Sequence, residues 1–141
     1  MNKFFVSLTA AASLLLLSGC VTEEQANAKI GKGCEAAIKT LIDPKEIMEI
    51  KSIEYGSELE ADGVYRSITL NVHERDGWSE QDNKYTCLFE EQWGPLKSSH
   101  TALFIQATID GETVGKEHGV IKGDMEDFLK LTNVVNKAMD Q

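Results

Sequence analysis

The chain has 141 residues, 14 of them basic and 23 acidic, which gives a formal charge of −9. This length suffices for one domain with a hydrophobic core. Because binding to nucleic acid begins with Lys and Arg side chains on phosphates, the acidic excess argues against DNA and RNA as partners.

The N-terminus has the pattern of a secretory signal. Lys3 precedes an uncharged, mostly apolar run over residues 4–17, and small residues follow. A basic start, an apolar run and a small-residue cleavage site are the three parts of such a signal. A membrane-spanning helix needs about 20 apolar residues, which is more than this run supplies. An uncleaved membrane anchor is the alternative.

The run ends in Leu17-Ser18-Gly19-Cys20, which resembles the lipobox of bacterial lipoprotein precursors. The resemblance implies a signal peptide over residues 1–19 and cleavage before Cys20. It also implies lipidation of Cys20, with a diacylglycerol on its sulfur and an acyl group such as palmitate on its amino group. Two or more acyl chains hold a protein firmly on a membrane. By the sorting rule of enteric lipoproteins, Val21 in place of Asp implies the outer membrane, with the domain facing the periplasm.

The remaining chain, residues 20–141, carries 13 basic and 23 acidic side chains and therefore a formal charge of −10. Anionic lipid headgroups repel such a domain, so we expect it to stand off the membrane. We expect residues 20–31 to form a lipidated tether and residues 32–141 to form a single domain.

A first helix is predicted to emerge from the tether. Thr22-Glu23-Glu24-Gln25 fits a capping box. The apolar residues that follow at helical spacing are Ile30, Cys34, Ala37, Ile38 and Leu41. Gly31 and Gly33 each weaken a helix by about 1 kcal/mol relative to Ala, so the firm part is predicted at 32–42. Asp43-Pro44 ends it.

Strands are predicted between four breaks in the pattern. The breaks are the turn dipeptides Asp62-Gly63, Asp76-Gly77 and Asp110-Gly111 and the pair Gly94-Pro95. The alternating or apolar runs lie at 64–72, 85–90 and 101–109, with weaker candidates at 49–55 and 113–116. Arg66 interrupts the apolar face of the first run and is expected near its edge. Such closely spaced strands indicate an antiparallel meander of four or five.

A second helix is predicted at the C-terminus, where Asp124 caps it and acidic residues suit the first turn. Its apolar stripe consists of Met125, Phe128, Leu129, Thr132, Val135 and Met139, widened by Leu131 and Val134. Two amphipathic helices packed on an antiparallel sheet make an α+β domain.

The three cysteines suggest one disulfide. If Cys20 is lipidated it cannot pair, and Cys34 and Cys87 then remain in an oxidising compartment. Closing a loop of that size stabilises the fold by about 4 kcal/mol on the loop-entropy model. Two buried free thiols are the alternative. Residues 34–44, with a cysteine in a later strand, also resemble small exported helix-plus-sheet domains of bacteria. That resemblance implies that Cys34 is linked to the third strand, and it implies no activity.

The sequence predicts neither an enzyme nor a cofactor. None of the three histidines lies beside a nucleophile in a recognisable motif, and there is no phosphate loop or dinucleotide fingerprint. His73-Glu74 and Glu117-His118 each offer a metal two ligands at most, which is too few for a site.

The acidic loops are the strongest candidate contact surface. Alternate turns of a meander share one end of the sheet, so we expect six carboxylates there, opposed mainly by Arg75 and Lys84. These carboxylates are Glu74, Asp76, Glu80, Asp82, Asp110 and Glu112. An acidic rim steers a basic protein partner. Loose Ca²⁺ binding and a merely solvated edge are the alternatives.

Two tryptophans lie near the predicted loops. Trp78 falls within the acidic loop after the second strand and is a candidate anchor for an interface. Trp93 falls just past the third strand. In the competing interpretation each indole folds back to cover an end of the core.

Taken together, these patterns predict a lipid-anchored, non-catalytic protein-binding or adaptor module with a protein partner in the cell envelope. One alternative is an inhibitor or immunity protein that neutralises a cationic cell-wall enzyme or toxin. The other is a structural envelope lipoprotein.

Overall fold

Two helices and six β-strands form the part of the chain that the computed structural model describes, residues 19–60 and 63–140. In chain order they are α1 (Glu23–Ile42), β1 (Glu46–Glu60), β2 (Gly63–Asp76), β3 (Ser79–Trp93), a 3-10 turn (Pro95–Lys97), β4 (His100–Ile109), β5 (Glu112–Glu117), β6 (Val120–Lys122) and α2 (Met125–Met139). The predicted α+β class is confirmed. The predicted signal peptide up to Ser18, and Asp62 of the first predicted turn, lie outside the described residues.

The six strands form one antiparallel meander in the order β1 to β6. The prediction of four or five strands was therefore too low. The missed strand, β6, has three residues and follows Gly119, whose φ is 79°. A three-residue strand is too short to show a period of two in the sequence. The turns predicted at Asp76-Gly77 and Asp110-Gly111 join β2 to β3 and β4 to β5.

The two ends of the sheet carry different connections between strands. The β2–β3 and β4–β5 turns lie at one end, which we call the distal end. The β3–β4 connection lies at the other, the proximal end, where the amide of Val21 donates a hydrogen bond to the Lys97 carbonyl (2.9 Å). Cys20, exposed, is therefore at the proximal end. The 15 residues of β3, at about 3.3 Å each, separate the two ends by roughly 45 Å.

The first helix begins at Glu23, so most of the predicted tether over residues 20–31 is helical. The capping box forms: the Gln25 amide donates to the Thr22 hydroxyl (3.1 Å) and the Thr22 amide to the Gln25 side chain (3.0 Å). A Cβ on Gly33 would meet Met139 Cγ at 2.8 Å, and one on Gly31 would lie 3.0 Å from the Tyr55 hydroxyl. The two glycines let α1 approach α2 and β1 closely, and this packing outweighs their low helix propensity.

Both helices cover the same face of the sheet, which we call its inner face. The hydrophobic core lies between the helices and this face. On β2 the inner face carries Ile68, Leu70 and Val72, all buried. A disulfide joins Cys34 of α1 to Cys87 of β3 inside this core, with the sulfur atoms 2.04 Å apart. The predicted pairing is confirmed, and free thiols at these two positions are ruled out.

The second helix begins as predicted, because the Asp124 carboxylate accepts hydrogen bonds from the amides of Glu126 (2.7 Å) and Asp127 (3.3 Å). The buried face consists of Leu131, Val135 and Met139, with Phe128 partly buried. Within the predicted stripe, Met125 and Leu129 are instead more than half exposed, and the relative exposure of Val134 is 39%. The helix carries apolar residues on two adjacent faces, and contact with α1 selects one of them. Within residues 19–60 and 63–140, no helix combines the length and apolar character needed to cross a bilayer.

Candidate functional site

The most exposed large side chain at the distal end is Trp78, which forms the tip of the β2–β3 turn. Gly77 at φ 58° turns the chain tightly between the paired residues Asp76 and Ser79. The indole of Trp78 is fully exposed (relative exposure 104%). The structure therefore does not fold it back over the core, and the domain presents a large apolar side chain to solvent.

Trp78 borders an open groove of about 640 Å³ at the distal end. Its lining residues are Pro44, Glu46, Arg75, Gly77, Trp78 and Glu80. The register of β1 against β2 sets Glu46 opposite Arg75, and their side chains pair at 2.5 Å. The groove therefore combines an aromatic wall with an Arg–carboxylate pair and a second carboxylate. This mixture of an apolar anchor and polar groups suits contact with a protein chain.

Five of the six predicted carboxylates are exposed at the distal end, as the meander requires: Asp76, Glu80, Asp82, Asp110 and Glu112. The sixth, Glu74, is fully buried and cannot belong to an exposed rim. The reason is its register, because Glu74 continues the alternation of Ile68, Leu70 and Val72 and so faces inward. The same alternation in the sequence could have revealed this.

Buried Glu74 is held by hydrogen-bond donors. The Tyr85 hydroxyl and the side-chain amides of Gln81 (2.8 Å) and Asn83 (3.2 Å) all donate to its carboxylate. Burial alone would raise the pKa of Glu74, but these hydrogen bonds outweigh it, and the nearby charge of Lys45 adds to them. The pKa of Glu74 therefore lies below its ordinary value. Burial and the Glu74 carboxylate together raise the pKa of Tyr85. The buried, charged Glu74 thus links Gln81, Asn83 and Tyr85 inside the distal end, and we call this group of contacts the Glu74 brace.

Lysine 45 links this brace to the β4–β5 turn. Lys45 Nζ lies 3.6 Å from Glu74 and 3.9 Å from Asp110, and the Asn83 amide donates to Asp110 at 3.3 Å. Asp110 is therefore partly compensated, whereas Glu112 is exposed in the same turn. These contacts hold the two distal turns in a fixed arrangement.

A third group of charges lies on the outer face of the sheet, opposite the helices. His73 lies between Asp82 (2.8 Å) and Glu80 (3.2 Å), and Lys51 binds Asp82 at 2.7 Å. Hydrogen bonds to Asp82 and Glu80 raise the pKa of His73. Hydrogen bonds from Lys51 and His73 lower the pKa of Asp82. Lys45 and Lys51 thus pair with carboxylates of this group. Arg75, expected to oppose them, pairs with Glu46 instead, and Lys84 makes no ion pair with them among the described residues.

The remaining candidates from the sequence lie away from the groove. Trp93 is half-buried and packs against the His100 ring, with 4.6 Å between ring centres and the planes tilted by 53°, so it does fold back onto the protein. The His100 ring meets Glu91 at 2.9 Å, and His118 is exposed in the β5–β6 turn. Among the described residues, no group of three or more His, Cys, Asp or Glu side chains is arranged to hold a metal ion.

Sequence reasoning missed part of the groove and the compensating cations. Pro44 and Glu46 reach the groove because α1 ends at the distal end and β1 starts there. Lys45 and Lys51 reach the carboxylates through the pairing of β1 with β2, which the sequence left as a weak strand. No short motif marks these contacts, because they depend on strand register.

Comparison with known proteins yields no relative. No protein-family model, no curated protein and no solved structure matches this chain.

Proposed function

We propose that this chain is an envelope lipoprotein, anchored through lipid on Cys20 in the outer membrane and facing the periplasm, and that it acts as a non-catalytic protein-binding module. The observation that carries the binding part of the proposal is the full exposure of Trp78 at the end of the sheet opposite Cys20.

Two features of the N-terminal region support the anchor. The lipobox-like run ends at Cys20, and Cys20 is exposed and is the one cysteine in the described chain outside the disulfide. The helix then begins only three residues later. A lipid on Cys20 would therefore hold the domain close to the bilayer on a short connection.

The geometry of the sheet supports a partner at the distal end. With Cys20 at the membrane, a distance of roughly 45 Å along β3 sets the Trp78 turn toward the space beyond the bilayer. Large aromatic side chains are enriched among the residues that dominate protein interfaces. The hydrogen bonds of Glu74 with Gln81, Asn83 and Tyr85 already order the side chains beside this turn, so we expect little order to be gained on binding.

The charges at the distal end favour a partner with a basic surface. Asp76, Glu80 and Glu112 are exposed there, and neither Asp76 nor Glu112 has an ion pair among the described residues. Charge complementarity of this kind acts mainly on the association rate and is weakened by salt. We therefore expect binding that slows as ionic strength rises.

The proposal is tested by in-cell crosslinking and mass spectrometry of the intact lipoprotein, comparing wild type, Trp78→Ala and Leu129→Ala. Leu129 is the matched control, because it is an exposed apolar side chain on α2. Both side chains are exposed, so each substitution should change the free energy of unfolding by at most about 0.5 kcal/mol. We expect Trp78→Ala to lose an adduct that wild type and Leu129→Ala retain. Identical adducts in all three proteins would contradict the proposed surface.

An inhibitor or immunity protein is the second candidate, and the shape of the β2–β3 turn favours it. A rigid two-residue turn with an indole at its tip suits insertion into the cleft of an enzyme. In that case the partner is a basic enzyme, and purified protein should abolish its activity in a salt-sensitive manner. The Trp78→Ala variant should lose this inhibition. Binding that leaves the enzyme active would favour the adaptor role.

A further inference from the structure

The connection between β3 and β4 contains an exposed apolar residue beside the N-terminus. Leu96 has a relative exposure of 92%, one of the highest among the large apolar side chains of the described residues. The backbone amide of Val21 donates a hydrogen bond to the carbonyl of Lys97, the residue that follows Leu96. Cys20 is thus one residue away from a direct contact with this connection.

The backbone of this connection is held in an unusual conformation. Leu96 and Lys97 have φ values of 53° and 57°, in the left-handed region that L-residues other than glycine disfavour. Three backbone hydrogen bonds maintain it: Lys97 to Gly94 (3.1 Å), Ser98 to Pro95 (3.0 Å) and Gly94 to Ser99 (3.0 Å). These hydrogen bonds keep the backbone in a conformation that leaves the Leu96 side chain exposed to solvent instead of packed on the core. Backbone strain of this kind is common where a side chain makes a functional contact.

The neighbours of Leu96 are residue types found at membrane interfaces. Lys97 Nζ lies 5.2 Å from the centre of the half-buried Trp93 ring. Tryptophan is enriched at the headgroup level of bilayers, and a lysine there keeps its charge in water while its stem lies along apolar surface. Val64, near the start of β2 at the proximal end, is also exposed. The proximal end thus offers apolar contacts around one cation.

We propose that the Leu96 loop, Gly94–Ser99, rests on the lipid bilayer next to the anchor and fixes the orientation of the domain. This inference rests on the proposed lipid anchor at Cys20. One leucine alone binds a membrane weakly, but the anchor makes the contact intramolecular and raises its effective concentration. The domain as a whole still stands off the bilayer, because contact is confined to this loop.

The contact is apolar rather than electrostatic. The protein is acidic, and the β1–β2 hairpin carries exposed Glu58 toward the same end. Anionic headgroups therefore gain little from the loop. Zwitterionic phosphatidylethanolamine is the surface that fits, and salt should not release the loop from it.

The test uses the mature protein purified from cell envelopes and mixed with vesicles of phosphatidylethanolamine whose acyl chains carry bromine, a quencher of tryptophan fluorescence on contact. Leu96→Trp and the control Leu129→Trp are each compared with wild type, so that the emission of the added indole is obtained by difference. We expect the emission added at residue 96 to be quenched and shifted to shorter wavelength, in low and high salt alike. The emission added at residue 129 should remain unquenched.

The outcomes separate the two proposals. Protein that sediments with the vesicles while residue 96 stays unquenched would overturn the membrane contact and leave the anchor standing. The same result is expected if Leu96 instead meets a protein. Equal quenching at residues 96 and 129 would also overturn the contact, because the domain would then have no preferred orientation. Protein that fails to sediment with the vesicles would overturn the anchor and the contact together.

Discussion

Removal of the Cys34–Cys87 disulfide should destabilise the domain strongly. The two cysteines are separated by 53 residues. On the loop-entropy model, releasing a loop of this length from the unfolded chain costs about 4 kcal/mol of stability. A domain of this size has a total stability of about 5–15 kcal/mol, so the loss is a large share of it.

The assay is urea unfolding of the protein without residues 1–20, followed by circular dichroism, for wild type and for the double variant Cys34→Ala with Cys87→Ala. Wild type treated with reductant is the matched control, because it loses the same crosslink while keeping both side chains. We expect the midpoint to fall in both cases. The slope should rise, because the unfolded chain without the crosslink is less compact and exposes more surface. Unchanged midpoints would refute the claim that the crosslink stabilises this fold.

Three further predictions concern the core and the distal end. Replacing Glu74 by Ala should cost about 3 kcal/mol, because a buried charge network loses one partner. The pKa of the Glu74 carboxyl is lowered in the folded protein, so the charged carboxylate stabilises the fold at neutral pH, and this stabilisation is lost as the pH falls below about 4.5. Thermal melts of wild type and Glu74→Gln over this pH range should show that the variant lacks part of the loss of stability in acid. The substitution Gly33→Leu should destabilise the protein by about 2 kcal/mol, because the space beside Gly33 is filled by Met139, and a melting temperature equal to that of wild type would contradict the packing of α1 on α2. Proton NMR should find that His73 titrates above its ordinary pKa of about 6.5, and Asp82→Asn should bring that pKa back down; an identical titration in the variant would mean that Asp82 does not hold the His73 ring.

Local sequence patterns predicted the features of this fold that depend on neighbours along the chain. The alternation of Ile68, Leu70 and Val72 identified β2, and the Asp124 cap identified the start of α2. The number of cysteines predicted the disulfide, because lipidation of Cys20 leaves two of the three cysteines to pair. Each of these signals reflects geometry within a few residues or a simple count.

The errors came from tertiary contacts. Gly31 and Gly33 lower helix propensity, yet α1 runs through both because Met139 and Tyr55 pack against the space they leave. On α2 two adjacent faces are apolar, and the sequence alone does not show which of them packs on α1. Leu129 lies on the face that remains exposed. Propensity is a weak guide wherever a partner helix decides the packing.

The candidate site was predicted in location more than in detail. The meander brings the acidic turns together, so Asp76 and Asp110 lie at one end as expected. Strand register then decides which side chains are buried, and it moves Glu74 from the surface into the core. Register also adds Lys45 and Lys51, which no local pattern places near these carboxylates.

The lipid anchor is the premise on which the orientation of the domain and both proposed surfaces depend. Mass spectrometry of the protein extracted from cell envelopes tests it directly, by identifying the first residue of the mature chain and its mass. We predict that the chain starts at Cys20 and that this residue carries a diacylglycerol and an acyl group. A chain that retains residues 1–19, with an unmodified thiol on Cys20, would contradict the account.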